Sequence, residues 1–155
     1  SYRNLTRLTH PVKKAFYVRE IAERVISLTK DRVADSGAVC TYVEKSDDIL
    51  LYADEGQITQ ILINLIKNAT EADAGRIEIT AEINLSEHVI INVFNDGRAI
   101  SKESREEIFV PFFTTKQEGT GIGLSLSRQI MRLHNGTLTL TQSDENGTIF
   151  TLIFR

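Results

Sequence analysis

Two asparagines one helical turn apart, Asn64 and Asn68, stand mid-helix, where Glu or Lys would serve the backbone better. Their amide oxygens are neutral donors of the kind Mg²⁺ accepts alongside water and nucleotide phosphates. At 100° per residue, Gln57, Gln60, Asn64, Asn68 and Glu71 fall within about 80° of one another, a polar stripe that could equally be a solvated surface. A second run, Gly119-Thr120-Gly121-Ile122-Gly123-Leu124, opens a helix. Glycines let backbone N–H groups close on an anion and a helix N-terminus favours negative charge, although a plain turn also asks for glycine. The run follows no strand of a βαβ unit and lacks Gly-Lys-[Ser/Thr], so neither the dinucleotide fold nor the P-loop is implied. Asn95-Asp96-Gly97-Arg98-Ala99-Ile100 sits at a strand end and by itself reads as a turn. Phe109-Val110-Pro111-Phe112-Phe113-Thr114-Thr115-Lys116 is an aromatic run ending in a cation; by itself it is a loop pinned by buried aromatics.

The elements that must position these residues follow from periodicity. Asp54 with Gln57 three residues on predicts a capping box, and Ile58, Ile61, Leu62, Leu65, Ile66 and Ala69 predict one apolar face of a helix over 54–73. Ile77, Ile79, Ala81 and Ile83 alternate with polar residues and predict a half-buried strand, followed by a second strand over 89–94. Upstream, 16–18 reads as a short strand and 19–35 as one helix with Ile21, Val25, Leu28 and Arg32 on a face. Segments 38–43 and 49–53 around Lys45-Ser46-Asp47-Asp48 predict a hairpin. Residues 95–121 form a long, polar, irregular stretch, and such a loop in a compact domain is usually functional. A helix over 121–134 stopped by Asn135-Gly136, then strands over 137–142 and 148–154, complete the chain. Helices gathered against a largely antiparallel sheet make a two-layer α/β sandwich.

Taken together and in order, Asn64-x₃-Asn68-Ala69, the glycine turn after a strand, Phe113-Thr114-Thr115-Lys116 and Gly119-Thr120-Gly121-Ile122-Gly123-Leu124 resemble the N, G1, F and G2 boxes of the catalytic domain of bacterial sensor histidine kinases. That domain belongs to the gyrase, Hsp90 and MutL ATPase superfamily, and the nitrogen-regulation type of kinase is the nearest pattern. The resemblance covers about residues 11–155 and leaves 1–10 as the end of a preceding dimerisation helix and a linker. It implies a mixed, mostly antiparallel five-stranded sheet on three helices, with ATP between the helices and a flexible lid. It further implies that Asn68 ligates Mg²⁺, Asn64 lies beside the phosphates, Asn95 reads adenine and Lys116 touches phosphate. Gly119, Gly121 and Gly123 form the lid's hinge and cradle, and Gly97, Ala99, Ile100, Thr115, Thr120, Ile122 and Leu124 line the same nucleotide site. Asn64, Asn68 and Lys116 are the residues expected to serve catalysis. Three positions depart from the pattern: Asn95 replaces the usual Asp, Ala99 replaces the second glycine of its box, and Glu71 stands where many kinases have a basic residue. The carbonyl oxygen of Asn95 is expected to accept the bond from the adenine amino group that an Asp would take.

The expected activity is transfer of the ATP γ-phosphoryl group to a histidine of an adjoining dimerisation domain, with a response regulator downstream and a homodimeric full-length protein. Gyrase- or MutL-like hydrolysis needs a carboxylate one turn before the metal asparagine, and Asn64 is no base there. A nucleotide-sensing pseudokinase remains the alternative, kept alive by Asn95 and Ala99. His10, followed by Pro11 and no acidic residue, is a poor phosphate acceptor; His88 and His134 read as structural. Lys67 and Arg128 could reach phosphates or simply be solvated. The net charge of −3 removes the basic field that nucleic acid would need, and the lone Cys40 excludes a disulfide or a cysteine-rich metal site. No apolar run is long enough to span a membrane, so a cytoplasmic domain is expected, with any anchor in a part of the protein preceding Ser1.

Overall fold

Asp54 starts the helix that organises the rest. In the computed structural model, which describes residues 8–111 and 123–155, its side chain accepts the Gln57 N–H at 3.0 Å and so satisfies one of the orphan donors of helix α3, Glu55–Glu71. The return half of the expected capping box is not made: the Asp54 N–H donates to His134 Nε2 at 3.0 Å, and the Gln57 NH₂ donates to the Thr9 carbonyl at 2.9 Å. Ile58, Ile61, Leu62, Leu65, Ile66 and Ala69 are all buried, as the periodicity predicts. The helix ends at Ala72, where Asp73 takes a left-handed conformation (φ 60°) and the Ala74 N–H returns to the Ala69 carbonyl.

The elements before α3 depart from the sequence reading in three ways. Strand β1 is Lys14–Tyr17, and Val18 already begins helix α1, Val18–Leu28. The single helix expected over 19–35 is broken at Thr29, after which α2 runs Lys30–Asp35. The Thr29 hydroxyl donates to the Val25 carbonyl at 2.8 Å, a local bond that competes with the helix ladder. Its side chain takes the inward place that spacing alone assigned to Leu28, which is 62% exposed. The expected hairpin is also absent. Strand β2, Val39–Glu44, pairs in parallel with β4, and β3, Leu50–Ala53, pairs antiparallel with β1 in a separate two-stranded sheet. Ile49 explains the divergence: it is fully buried and its carbonyl accepts the Val18 N–H at 2.9 Å. The chain is therefore drawn under α1 before β3 can fold back on β2.

Beyond α3, sequence and structure agree closely. β4, Arg76–Ile83, and β5, Val89–Asn95, are antiparallel neighbours, and β6, Thr137–Asp144, and β7, Gly147–Phe154, form the terminal hairpin. The main sheet runs β2-β4-β5-β7-β6, antiparallel except for its first pair. Ile77, Ile79 and Ala81 point into the core as alternation predicts; Ile83, at the strand end, is 39% exposed. Helix α4, Gly123–Leu133, packs on α3 and β6, and Asn135 at φ 58° ends it. A five-stranded sheet and one helix layer result, beside the small β1–β3 sheet, the first helix of that layer being split into α1 and α2. Among the described residues no helix is long and apolar enough to cross a membrane.

Candidate functional site

The side of α3 next to its apolar face carries Asn64 and Asn68, both half-buried. The amide nitrogen of Asn64 is buried and has no hydrogen-bond partner among the described residues. A buried polar group left so costs on the order of 1–3 kcal/mol, and the Gln57 Oε1 and Arg105 Nε atoms are in the same position. Gly123, the first residue of α4 described, abuts that same side chain. A Cβ there would fall on the Asn64 amide, 2.7 Å from its Nδ2, so any larger residue has to displace that side chain or the start of α4. The tertiary structure thus brings the last glycine of the Gly-rich run onto Asn64, 59 positions away in sequence (123 − 64). Leu124 follows, half-buried and packed on the core.

The rest of the polar stripe serves the fold. Gln57 holds the segment before β1, Gln60 is exposed, and the Glu71 carboxylate lies 4.0 Å from the Arg32 guanidinium. Arg32 also donates to the Thr70 hydroxyl at 3.2 Å, which ties α2 to the end of α3.

The Asn95–Ile100 segment is stitched to the C-terminal end of α3. The Arg98 N–H donates to the Ala72 carbonyl at 2.8 Å, and Gly97 passes so close that a Cβ would be 2.5 Å from that oxygen. Its guanidinium bonds the Glu71 carbonyl at 2.9 Å and pairs with Asp73. Asp96 accepts the Gly75 and Arg76 N–H groups, each at 2.8 Å, and these backbone donors hold its carboxyl below the usual carboxylate range. Asn95, the last residue of β5, is 5% exposed, and its Oδ1 accepts the Gly97 N–H at 2.9 Å. The oxygen expected to meet the adenine amino group therefore already has a donor. Ala99 is exposed and its φ is not positive, so an alanine in place of glycine is accommodated without backbone strain. The Ile100 N–H donates to the Ser143 hydroxyl at 2.8 Å, which is 2.7 Å from the Thr148 hydroxyl.

The aromatic run is anchored at its start. Phe109 meets Phe150 edge to face, with centroids 6.4 Å apart, and the Arg128 guanidinium lies 3.6 Å over the Phe109 ring. Arg128 also donates to the Leu138 carbonyl at 3.3 and 3.2 Å, and its burial lowers its pKa. It is thus a packing cation, whereas Lys67 remains exposed on α3. Arg105 bonds the Ser143 carbonyl, which makes Ser143 a double anchor for the 98–108 stretch. Ser143, Thr148 and Arg105 carry no motif signal in the sequence, whereas the turn around Asp96 is visible there both as a turn and as part of the pattern that resembles the G1 box. Thr115, Lys116, Gly119, Thr120, Gly121 and Ile122 lie outside the described residues.

Residues 53–155 match the family described as histidine kinase-, DNA gyrase B-, and HSP90-like ATPase. The chain belongs to this family. Sporulation kinase C of Bacillus subtilis is 29% identical over 142 residues, 90% of this chain and 33% of its own length. Sensor histidine kinase ZraS of Escherichia coli K12 is 38% identical over 104 residues, 66% of this chain and 22% of its own. The chain accordingly spans a third or less of these relatives. The catalytic domain of histidine kinase ThkA, in a nucleotide-free form, superposes with a TM-score of 0.82 at 33% identity, covering 92% of this chain and 94% of that one. ThkA in complex with response regulator protein TrrA gives a TM-score of 0.76 at 32% identity, over 92% of this chain and 41% of the kinase chain. Within the ATPase family, then, the similarity runs to histidine-kinase catalytic domains across almost the whole chain.

Whether the site suits a magnesium nucleotide can be tested on its donors. Among the described residues no group of three or more His, Cys, Asp or Glu could hold a metal ion. A protein cage for a metal is therefore missing there, but Mg²⁺ seldom uses one: it is held by one or two protein oxygens together with substrate phosphates and water. Asn68, half-buried one helical turn from Asn64, carries a neutral amide oxygen of the type such partial coordination uses.

Proposed function

We propose that the domain binds ATP with Mg²⁺ along the α3–α4 seam and transfers the γ-phosphoryl group to a histidine of an adjoining helical dimerisation domain. The observation that carries this reading is the buried Asn64 amide nitrogen, without a partner among the described residues, packed against Gly123. In this reading Asn68 holds the metal, Asn64 donates to a phosphate oxygen, and Lys116 with Gly119 and Gly121 completes the cradle. Gly97, Ala99, Ile100, Thr115, Thr120, Ile122 and Leu124 line the nucleotide around Asn95. Bound Mg²⁺ supplies neutralisation of the phosphate charge. The chain's own part is to hold the nucleotide so that an incoming imidazole nitrogen lies in line with the γ-phosphorus while the β–γ bridging P–O bond breaks toward ADP. No nucleophile is needed from this domain, and Asn64 does not deprotonate water, which favours transfer over hydrolysis. Residues 1–10 are read as the end of the dimerisation helix and linker; the Gln57 bond to Thr9 is the kind of tie such a linker needs. The full protein is read as a homodimer acting on a response regulator, as a two-component sensor of the nitrogen-regulation type would.

Asn68→Ala tests the reading. It removes a metal ligand without opening a core cavity, so unfolding should stay cooperative while Mg²⁺-dependent ATP affinity disappears. Calorimetric titration with and without Mg²⁺ checks this; an unchanged Mg²⁺ dependence would refute the assignment. A pseudokinase reading is favoured by one observation, the Asn95 oxygen already bonded to Gly97. Single-turnover transfer to a supplied dimerisation domain separates the two.

A further inference from the structure

Asn95 does more than depart from a carboxylate: its hydrogen bond decides which end of the amide is left for a ligand. A backbone N–H can only donate, so the side-chain atom 2.9 Å from the Gly97 nitrogen has to be the carbonyl oxygen. The other end is then NH₂, which can only donate and has no hydrogen-bond partner among the described residues. Rotation of the amide is opposed on two sides. It would face the Gly97 N–H with a second donor, and Gly97 itself is locked against the Ala72 carbonyl. An aspartate in this place would give one oxygen to Gly97 and keep the other as an acceptor. Asparagine converts that second position from acceptor to donor.

We propose that Asn95 makes this site accept 6-oxopurine nucleoside triphosphates at least as readily as ATP. The proposal rests on the nucleotide reading given above, with Asn95 facing the six-membered ring edge of the purine. The 6-amino group of adenine offers hydrogens to a donor, so the two groups make no hydrogen bond to each other. A 6-oxo group accepts from the same NH₂. The loss of discrimination is therefore a property of hydrogen-bond direction and not of pocket size, since Asn and Asp have nearly equal volume.

The test compares ATP with inosine triphosphate, which differs in the purine at position 6 and in the proton on N1, by calorimetric titration of the 155-residue chain in Mg²⁺. Inosine triphosphate is expected to bind the parent as tightly as ATP or more tightly. Asn95→Asp is expected to swing the affinity ratio toward ATP by at least about tenfold, because a site with a directed buried hydrogen bond rejects the mismatched ligand strongly. A parent that prefers ATP by the same factor as Asn95→Asp overturns the proposal. If neither nucleotide binds the parent, the nucleotide reading itself fails and the proposal with it; binding with an unchanged ratio refutes the proposal alone. Should Asn95→Asp not fold, purine riboside triphosphate, with hydrogen at position 6, supplies a second test on the parent. The order oxo, hydrogen, amino from tightest to weakest supports the donor assignment, and the reverse order overturns it.

Discussion

Gly123 and Asp96 show how single residues fix this site in different ways. Gly123 acts by absence: with the Asn64 side chain where a Cβ would be, Gly123→Ala must displace either the asparagine or the start of α4. Overpacking of this kind costs about 1–3 kcal/mol, and here it falls on the groups proposed to meet phosphate. We expect Gly123→Ala to weaken ATP binding by about tenfold or more while the chain stays folded, to be read from paired titration and thermal unfolding. Asp96 acts by charge. Its folded-state pKa is depressed by the Arg76 and Gly75 N–H donors, so the stability it contributes is fully present above the unfolded carboxylate value, about 3.9. That contribution is lost as pH falls through the lower folded value. Asp96→Asn should leave a shallower acid limb than the parent below about pH 4 in pH-dependent urea unfolding. An acid limb of unchanged slope would show that the two backbone bonds are not charge-assisted.

At the scale of elements, α3 is the part whose signals agree with one another. Asp54 caps it, accepts the Val12 N–H at 2.8 Å through its second oxygen, and donates its own N–H to the His134 Nε2 at 3.0 Å. The His134 Nδ1 is 2.8 Å from the Ile130 carbonyl, which fixes the ring as the tautomer with hydrogen on Nδ1. One residue thereby joins the segment before β1, the start of α3 and the end of α4. Asp54→Ala should cost about 0.5–2 kcal/mol from the cap. It should also raise hydrogen exchange at the Val12 amide, which a cap acting on α3 alone would not do. Periodicity found α3, β4, β5, α4 and the terminal hairpin because each has a local apolar rhythm. It failed for 38–53, where β2 and β3 are short and alternate equally well as a hairpin or as strands of different sheets. Burial of Ile49 and the Val18 bond decided between them. Thr29 is a similar case: its spacing is helical, and its backbone (φ −100°, ψ 3°) leaves the helix there while its N–H and hydroxyl both bond the Val25 carbonyl.

For the whole molecule, the proposed site is a seam between segments that are distant in sequence, and the acceptor it is proposed to serve lies in another domain. Incubated with labelled ATP, the chain should therefore remain unlabelled; acid-labile label on His10 would overturn the reading of its N-terminal segment. What the sequence by itself determined was the family: four short motifs in a given order, on elements whose type was readable, and the substitution of Asn95 for a carboxylate. Such features are chemical identities and local rhythms, which the chain carries without folding. Only the tertiary structure decided that β2 runs parallel to β4, that Gly123 closes on Asn64, that Arg128 covers Phe109 and that the Asn95 oxygen is bonded to Gly97. Each is a matter of which surfaces meet and which way a hydrogen bond points. A period of 2 or 3.6 residues tells which side of an element is apolar, but it carries no information about what that side will face.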